Sequence, residues 1–263
     1  MSNGASLFRS LTIQSRTLHA LMMREVITRF GRHNLGALWL IVEPMVFTLG
    51  ITALWSTYGM NHGSSMPIAA FAVTGYSSVL LWRNCAGRCL MAIEVNRPLL
   101  FHRNVKVIDL FLTRIVLEVV GATGSFILLA IFFTLLGWMS APVDMLQVMF
   151  GWFMLAWFGA ALALVVGAAT AQSDIVEKLW GPTTYLLFPL SGAGFMVDWL
   201  PQTMQKYILL LPMVHGVEIL REGYFGNTVK THFDLGYMAV WCLALSLAGL
   251  YWVHDAGNKV EGR

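Results

Sequence analysis

The chain has 263 residues, of which 57% are hydrophobic and only 12% are charged, and its formal net charge is +3. Its mean hydropathy is +0.66. So few polar side chains cannot cover a soluble globule of this length, so the composition predicts a membrane protein. Its apolar segments are expected to be helices, because an open sheet cannot satisfy its backbone in lipid, and the predicted fold class is an all-α membrane protein.

Six apolar segments reach or approach the length of about 20 residues that a transmembrane helix needs. They cover residues 35–58, 66–82, 115–139, 145–171, 179–197 and 235–253. The prediction is therefore one transmembrane domain, residues 35–253, with six spans. Residues 1–34 precede this domain, and residues 254–263 form a tail.

The first 34 residues place apolar side chains on one face of a helix and arginines almost opposite. The apolar residues are Leu7, Leu11, Leu18 and Met22, and the arginines are Arg9 and Arg16. This pattern predicts a basic amphipathic helix in the cytoplasmic headgroup layer. A solvated cytoplasmic helix packed on a partner is the alternative.

Lysine and arginine are concentrated on one side of the predicted spans. The N-terminal segment, the second and fourth connections and the tail contain 14 of the 17 basic residues, and the other side has only Lys206, Arg221 and Lys230. Short cytoplasmic loops hold such residues, so both termini are expected in the cytoplasm. This bias also explains the small net charge, and a nucleic-acid partner is not expected.

Sequence motifs for catalysis are absent. The chain has no GxxxxGK[ST], HExxH or GxSxG motif and no metal-ligand spacing, so its three cysteines are expected to be reduced and structural. Within the spans, Glu43 is expected near mid-depth, and Arg114 and Glu118 are expected to pair on one helix face. Transport would then depend on an ion gradient or on a separate ATPase.

Two segments fit neither a span nor a free loop. Residues 83–114 mix cations with apolar residues, which favours a docking surface for a cytoplasmic protein. Residues 207–217 are apolar but too short to cross the bilayer, and Pro212 interrupts them. They predict short re-entrant helices between spans five and six; a hairpin on the membrane surface is the alternative.

Several stretches resemble a known family. The sequence from Arg29 to Pro44, with Leu-Gly-Ala-Leu-Trp at its centre, resembles the entry to the first span of ABC-2 type export permeases. The stretches Val95–Asp109 and Ser191–Gly226 are similar to a cytoplasmic loop and an outer segment of capsular polysaccharide export permeases. Pro98 departs from the family pattern, so a continuous helix through this loop is in question.

The resemblance implies a non-catalytic permease subunit in the bacterial inner membrane. It would form a homodimer with two nucleotide-binding ATPase subunits and move lipid-linked capsular polysaccharide from the cytoplasm to the periplasm. ATP and Mg would be used by the ATPase, and this chain would bind no cofactor; periplasmic and outer-membrane export proteins are further candidate partners. The alternatives are an ABC-2 permease for O-antigen, teichoic acid or a small molecule, and an ion-coupled carrier or membrane scaffold.

Three sets of site residues follow from this resemblance and from the residue chemistry. Sugar rings stack on aromatic faces, although Trp and Tyr also anchor helices at membrane interfaces. The candidates for the translocation path are Trp39, Trp55, Tyr58, Tyr76, Trp82 and Trp180. The candidates for ATPase coupling are Asn96, Arg97, Leu100, Phe101, Arg103, Lys106 and Asp109. The candidates for a periplasmic gate are Pro212 and Gly216 as bends, with Glu218 and Arg221 returning to water.

Overall fold

The computed structural model describes residues 3–31, 36–58, 66–101 and 105–261. In these ranges every regular element is helical, as predicted. The ten α-helices are α1 (Asn3–Phe30), α2 (Gly36–Thr57), α3 (Ile68–Cys89), α4 (Ala92–Val95), α5 (Val107–Leu135), α6 (Met145–Thr170), α7 (Asp174–Leu190), α8 (Gln202–Ile208), α9 (Pro212–Phe225) and α10 (Leu235–Glu261). Three short 3-10 helices cover Arg97–Phe101, Val197–Trp199 and Gly226–Thr228.

Four of the described helices are long and apolar enough to cross a bilayer. They are α2, α5, α6 and α10, with candidate spans Leu38–Thr57, Val107–Leu135, Met145–Thr170 and Leu235–Lys259. The helix α3 contains serine, threonine and arginine, and α7 has only 17 residues and two prolines. Four spans are therefore supported, and the count of six remains a prediction.

Helix ends depend on polar residues that hydropathy alone does not reveal. The Asp144 side chain accepts a hydrogen bond from the Gln147 backbone N–H (3.0 Å) and so begins α6. Ser173 caps α7 in the same way, so this helix begins at Asp174, five residues before the predicted start of that span. After α7, Gly192 has a φ of +82°, which favours glycine, and the chain leaves the helix there.

The core lies where α3 and α6 meet. Trp82 on α3 is fully buried, and a Cβ atom on Gly159 of α6 would lie 2.8 Å from its Cα atom. Glycine therefore allows the two backbones to approach closely. Cys85, Cys89 and Cys242 are buried and unpaired.

Successive long helices run in opposite directions, which gives the bundle two distinct ends. One end, called the basic end below, contains the end of α3, the start of α5 and the end of α10; Ile93, Gln172 and Lys259 line one crevice there. The opposite end contains α8, α9 and the start of α6, where the Val143 N–H donates to the Tyr224 carbonyl (3.2 Å).

The N-terminal helix packs on its own chain. The described part of its predicted apolar face, Leu18 and Met22, is half-buried, and Leu21 and Glu25 are buried against the bundle. The helix lies against α2 and α5. The described part of α1 therefore contributes to the bundle through an apolar and ionic face, and the side chains of residues 3–11 lie outside the described part.

Candidate functional site

Ion pairs join α1, α3 and α5 at the basic end. Glu25 contacts the Nε atoms of Arg29 (3.0 Å) and Arg114 (3.1 Å), while Glu118 pairs with Arg29 and lies 3.5 Å from Arg88 Nε. The predicted pair between Arg114 and Glu118 is therefore wrong. Arg114 and Glu118 instead pair with Glu25 and Arg29 of α1, because α1 covers the start of α5. The sequence of α5 alone does not reveal that α1 is its neighbour.

Glu43 extends this network to α2. It contacts Arg88 at 2.6 Å, and their side chains are 51% and 37% exposed. Arg88 precedes the last residue of α3, so Glu43 lies towards the basic end and not at the mid-depth position expected from sequence. Both residues border an open groove together with Trp39.

The segment after α3 is compact and interrupted. The helix α4 ends at Val95, and a 3-10 helix that contains Pro98 follows it. No continuous helix therefore runs through the described part of this loop, as Pro98 suggested. Asn96 is buried between them, where it accepts a hydrogen bond from Arg24 (2.7 Å) and donates to the Ala92 carbonyl (2.9 Å). This side chain fixes the segment to α1.

The remaining coupling candidates divide into exposed and buried residues. Arg97 and Lys106 are exposed, and Leu100 is half-buried. Asp109 is buried and accepts hydrogen bonds from the Lys106 backbone and from Gln14. It therefore fixes the start of α5. The side chain of Phe101 and the whole of Arg103 lie outside the described part of the chain.

An aromatic cluster lies on the open face of α3, which is the face between α2 and α7. The Tyr76 ring centroid lies 6.2 Å from that of Phe47 on α2 and 5.5 Å from that of Phe188 on α7. Phe47 and Phe188 also meet edge to face at 6.3 Å. These three rings cover the part of this face that is nearer the opposite end, where Trp55 packs edge to face on Tyr76 at 5.2 Å, and the part near Arg83 and Arg88 stays partly exposed.

The six aromatic path candidates occupy three environments. Trp39 and Tyr58 on α2 are 56% and 73% exposed. Trp55 and Tyr76 are buried in the aromatic cluster, and Trp180 is half-buried beside Gly87. Trp82 is fully buried on the other side of α3, with its ring 6.2 Å from that of Phe158 on α6.

Four further aromatic residues surround the path candidates in the structure: Phe47, Phe71, Phe188 and Tyr185. The sequence-based set contains only tryptophan and tyrosine, so it does not include the three phenylalanines, and Tyr185 is not among its tyrosines. The Tyr185 ring faces the Arg83 guanidinium, with 5.6 Å between the Cζ atom and the ring centroid. The three-residue spacing of Tyr185 and Phe188 on α7 was the available signal, since it places both rings on one helix face.

At the opposite end, Arg221 of α9 holds the loop that follows α7. Its guanidinium donates to the carbonyls of Gly192 (2.7 Å), Ala193 (2.6 Å) and Phe195 (2.6 Å), and it lies 3.9 Å from the Phe71 ring centroid. Arg221 has no exposed surface. The expectation that it returns to water is therefore wrong.

Glu218 of α9 also holds two other segments by accepting hydrogen bonds from their backbones. Its carboxylate accepts hydrogen bonds from the backbone N–H groups of Val197 (3.2 Å) and His232 (2.9 Å), and its side chain is buried, again contrary to expectation. Burial raises the pKa of the Glu218 carboxyl, while these N–H groups and Arg221 oppose the shift. At the surface, a hydrogen bond with His232 lowers the pKa of the Asp198 carboxyl.

The structure assigns different roles to the two expected bends. Pro212 begins α9, where its missing N–H costs nothing. Gly216 lies inside a continuous helix, and a Cβ atom there would lie 2.6 Å from Leu155 and 2.8 Å from Met238. Gly216 therefore permits close packing on α6 and α10, and the expected bend at this residue is wrong. A gating role for this segment remains a prediction.

The described residues thus form an all-helical chain in which four helices are long and apolar enough to cross a membrane, which is the class of helical membrane proteins. Residues 16–225 match the ABC-2 type transporter family, and the chain belongs to this family. The family predicted from the sequence is thus confirmed.

Relatives from three bacteria are named for polysaccharide export or polysialic acid transport. The chain is 43% identical over 253 residues to the capsule polysaccharide export inner-membrane protein BexB of Haemophilus influenzae, with 96% of each chain covered. It is 41% identical over 256 residues to the capsule polysaccharide export inner-membrane protein CtrC of Neisseria meningitidis serogroup B, with 97% of each chain covered. It is 28% identical over 241 residues to the polysialic acid transport protein KpsM of Escherichia coli, covering 90% of this chain and 92% of the relative.

Proposed function

We propose that this chain is the inner-membrane permease subunit of an ATP-driven exporter that moves lipid-linked capsular polysaccharide from the cytoplasm to the periplasm. The observation that carries the proposal is the similarity to BexB, because it extends over 96% of both chains at 43% identity. Similarity of that extent includes the spans, the segment after α3 and the segment between α7 and α10.

In this proposal α3 and α7 join the four apolar helices as spans, with the basic end and both termini in the cytoplasm. Polar residues in a spanning helix are tolerated where they face protein or an aqueous path. Arg83, Asn84 and Arg88 of α3 lie on its partly exposed face between α2 and α7. The composition of α3 is therefore compatible with a path-lining span.

The translocation path would run along the open face of α3. Only Thr184 of α7 is buried, so α7 has most of its surface available for another contact. A second copy of the chain facing this side would enclose the path in a homodimer. Exposed Trp39 and Tyr58 would offer sugar rings many weak and equivalent contacts, whereas buried Tyr76 would support the aromatic cluster and Trp82 would serve the packing of α3 on α6.

The basic end would bind two nucleotide-binding ATPase subunits. Exposed Glu94, Arg97 and Lys259 border the crevice between the segment after α3 and the end of α10, and they provide charged groups for a cytoplasmic partner. ATP and Mg would be used in those subunits and not by this chain. The segment from α8 to α9 would close the periplasmic end.

Deletion of this gene from its own bacterium tests the proposal. We expect polysaccharide to accumulate inside the cell and to disappear from the surface, because polymer synthesis continues without export. A plasmid copy should restore surface polysaccharide, measured with intact cells against lysed cells. Normal surface polysaccharide in the deletion strain, or loss of a different surface glycolipid such as O-antigen, would contradict the proposal.

A further inference from the structure

The open face of α3 has an aromatic half and a cationic half. Tyr76 marks the first, and Arg83 and Arg88 mark the second, about 10 Å and 18 Å further along the helix axis. All three side chains lie between α2 and α7. Charged side chains within a spanning helix are costly, so each arginine needs a compensating partner or a function.

The two arginines differ in their partners. Arg88 is paired with Glu43 at 2.6 Å and lies 3.5 Å from Glu118. Arg83 contacts no carboxylate and no hydrogen-bond acceptor among the described residues, and its guanidinium instead faces the Tyr185 ring at 5.6 Å. Arg88 therefore belongs to the ion network of the bundle, while the five N–H donors of Arg83 are available.

We propose that Arg83, supported by Tyr185, is an anion subsite that binds a phosphate or carboxylate group of the exported glycolipid. This inference rests on the proposed function, since it assumes that the open face is the path. Guanidinium groups bind planar oxyanions through two parallel hydrogen bonds, and an aromatic face can support the same group from behind. The exposed ring of Phe47 in the adjacent aromatic half would contact sugar rings while Arg83 holds the charge.

The position of Arg83 fits a site that binds the cargo transiently. Its guanidinium is partly exposed on the open face and has no fixed counter-ion, so an anion can reach it and leave again. A fully buried arginine with three carbonyl partners, such as Arg221, could not serve this purpose. The arrangement would therefore orient the charged end of the cargo without trapping it.

The first test measures surface polysaccharide in the deletion strain complemented with Arg83→Gln, Arg83→Lys or Lys178→Gln. Lys178 is an exposed cation near the start of α7 and provides the matched control. At equal membrane levels, Arg83→Gln should reduce export about tenfold, and Arg83→Lys should reduce it less, because one charge-assisted bidentate contact is lost. Export by Arg83→Gln equal to wild type would overturn the subsite, whereas failure of the wild-type gene would overturn the proposed function instead.

A second test separates charge from structure. Arg83→Cys is modified in inverted membrane vesicles with an aminoethyl or a sulfonatoethyl methanethiosulfonate, while the native cysteines are protected by burial. The cationic reagent should restore transport and the anionic reagent should not. Equal effects of the two reagents would show that Arg83 matters only for packing and would overturn the proposal.

A third measurement distinguishes cargo from membrane lipid as the source of the anion. Purified wild-type chain in phosphatidylcholine nanodiscs is mixed with glycolipid extracted from the deletion strain, and phosphatidylglycerol is added as a competitor. We expect wild type to retain the glycolipid in the presence of equimolar phosphatidylglycerol and Arg83→Gln to lose it. Displacement by phosphatidylglycerol would assign the site to membrane lipid and contradict the cargo assignment.

Discussion

A single guanidinium group, that of Arg221, satisfies three backbone carbonyls in the loop after α7. Buried carbonyls without donors cost free energy, so Arg221 stabilises this loop more than an exposed arginine would. Its contact with the Phe71 ring also joins the loop to α3. Arg221 therefore connects the loop after α7 to α3.

Replacing Arg221 with lysine should destabilise the protein by about 1–3 kcal/mol, because an ammonium group cannot reach all three carbonyls. The measurement is the Tm of the purified protein in detergent. Lys206→Gln is the matched control, since Lys206 is exposed on α8. An Arg221→Lys protein with the Tm of wild type would show that the three hydrogen bonds contribute little.

The sequence predicts the chemistry of these residues better than their environment. Glu218 and Arg221 are three residues apart and polar, which is typical of an exposed pair. In the structure their partners are backbone groups in the segment 192–197 and at residue 232, which are distant in sequence. Hydropathy and residue spacing do not reveal contacts with segments that are distant in sequence, so the expectation that Glu218 and Arg221 are exposed was wrong.

Glycines determine how closely α6 and α9 pack. A Cβ atom on Gly151 of α6 would lie 2.7 Å from the Leu220 backbone N and 2.9 Å from its Cα atom, and a Cβ atom on Gly223 would lie 2.6 Å from the Val148 backbone N. These neighbours are backbone atoms, which cannot move aside as a flexible side chain could. The backbones of the two helices therefore approach closely at one glycine of each helix.

Substituting Gly151 with alanine should force α6 and α9 apart and lower stability by about 1–3 kcal/mol. Gly50→Ala on α2 is the matched control, because no atom lies within 4 Å of its added Cβ and alanine is the better helix former. Thermal unfolding in detergent should show a lower Tm for the first variant and an unchanged or higher Tm for the second. Equal Tm values for both variants would contradict this packing.

The predicted spans agree best with α6 and with the start of α10, whereas α5 (Val107–Leu135) begins eight residues before its predicted start at residue 115 and ends four residues before its predicted end at residue 139. The predicted range 145–171 agrees with α6 (Met145–Thr170), and the predicted start at residue 235 agrees with α10 (Leu235–Glu261). The helix α3 extends seven residues beyond its predicted end at residue 82, and α7 begins five residues before its predicted start at residue 179. Both differences occur where polar residues continue a helix, and hydropathy alone ends a span there.

At the scale of the whole molecule, sequence motifs identified the family but did not identify the residues that surround the proposed path. The stretches after the first basic segment and around Val95–Asp109 indicated an ABC-2 export permease, and the comparisons confirm that family. The aromatic cluster combines residues of α2, α3 and α7, which a single sequence cannot place together. The open face of α3 became visible only in three dimensions.

The most direct test of the account is transport into inverted membrane vesicles that contain this chain and its nucleotide-binding partner. The measured quantity is polysaccharide protected from a depolymerase added outside the vesicles. We predict that protected polysaccharide accumulates only with ATP, persists when ionophores collapse the ion gradients, and is absent from vesicles of the deletion strain. Accumulation that needs an ion gradient, proceeds without ATP and stops with ionophores would contradict the account and indicate an ion-coupled carrier.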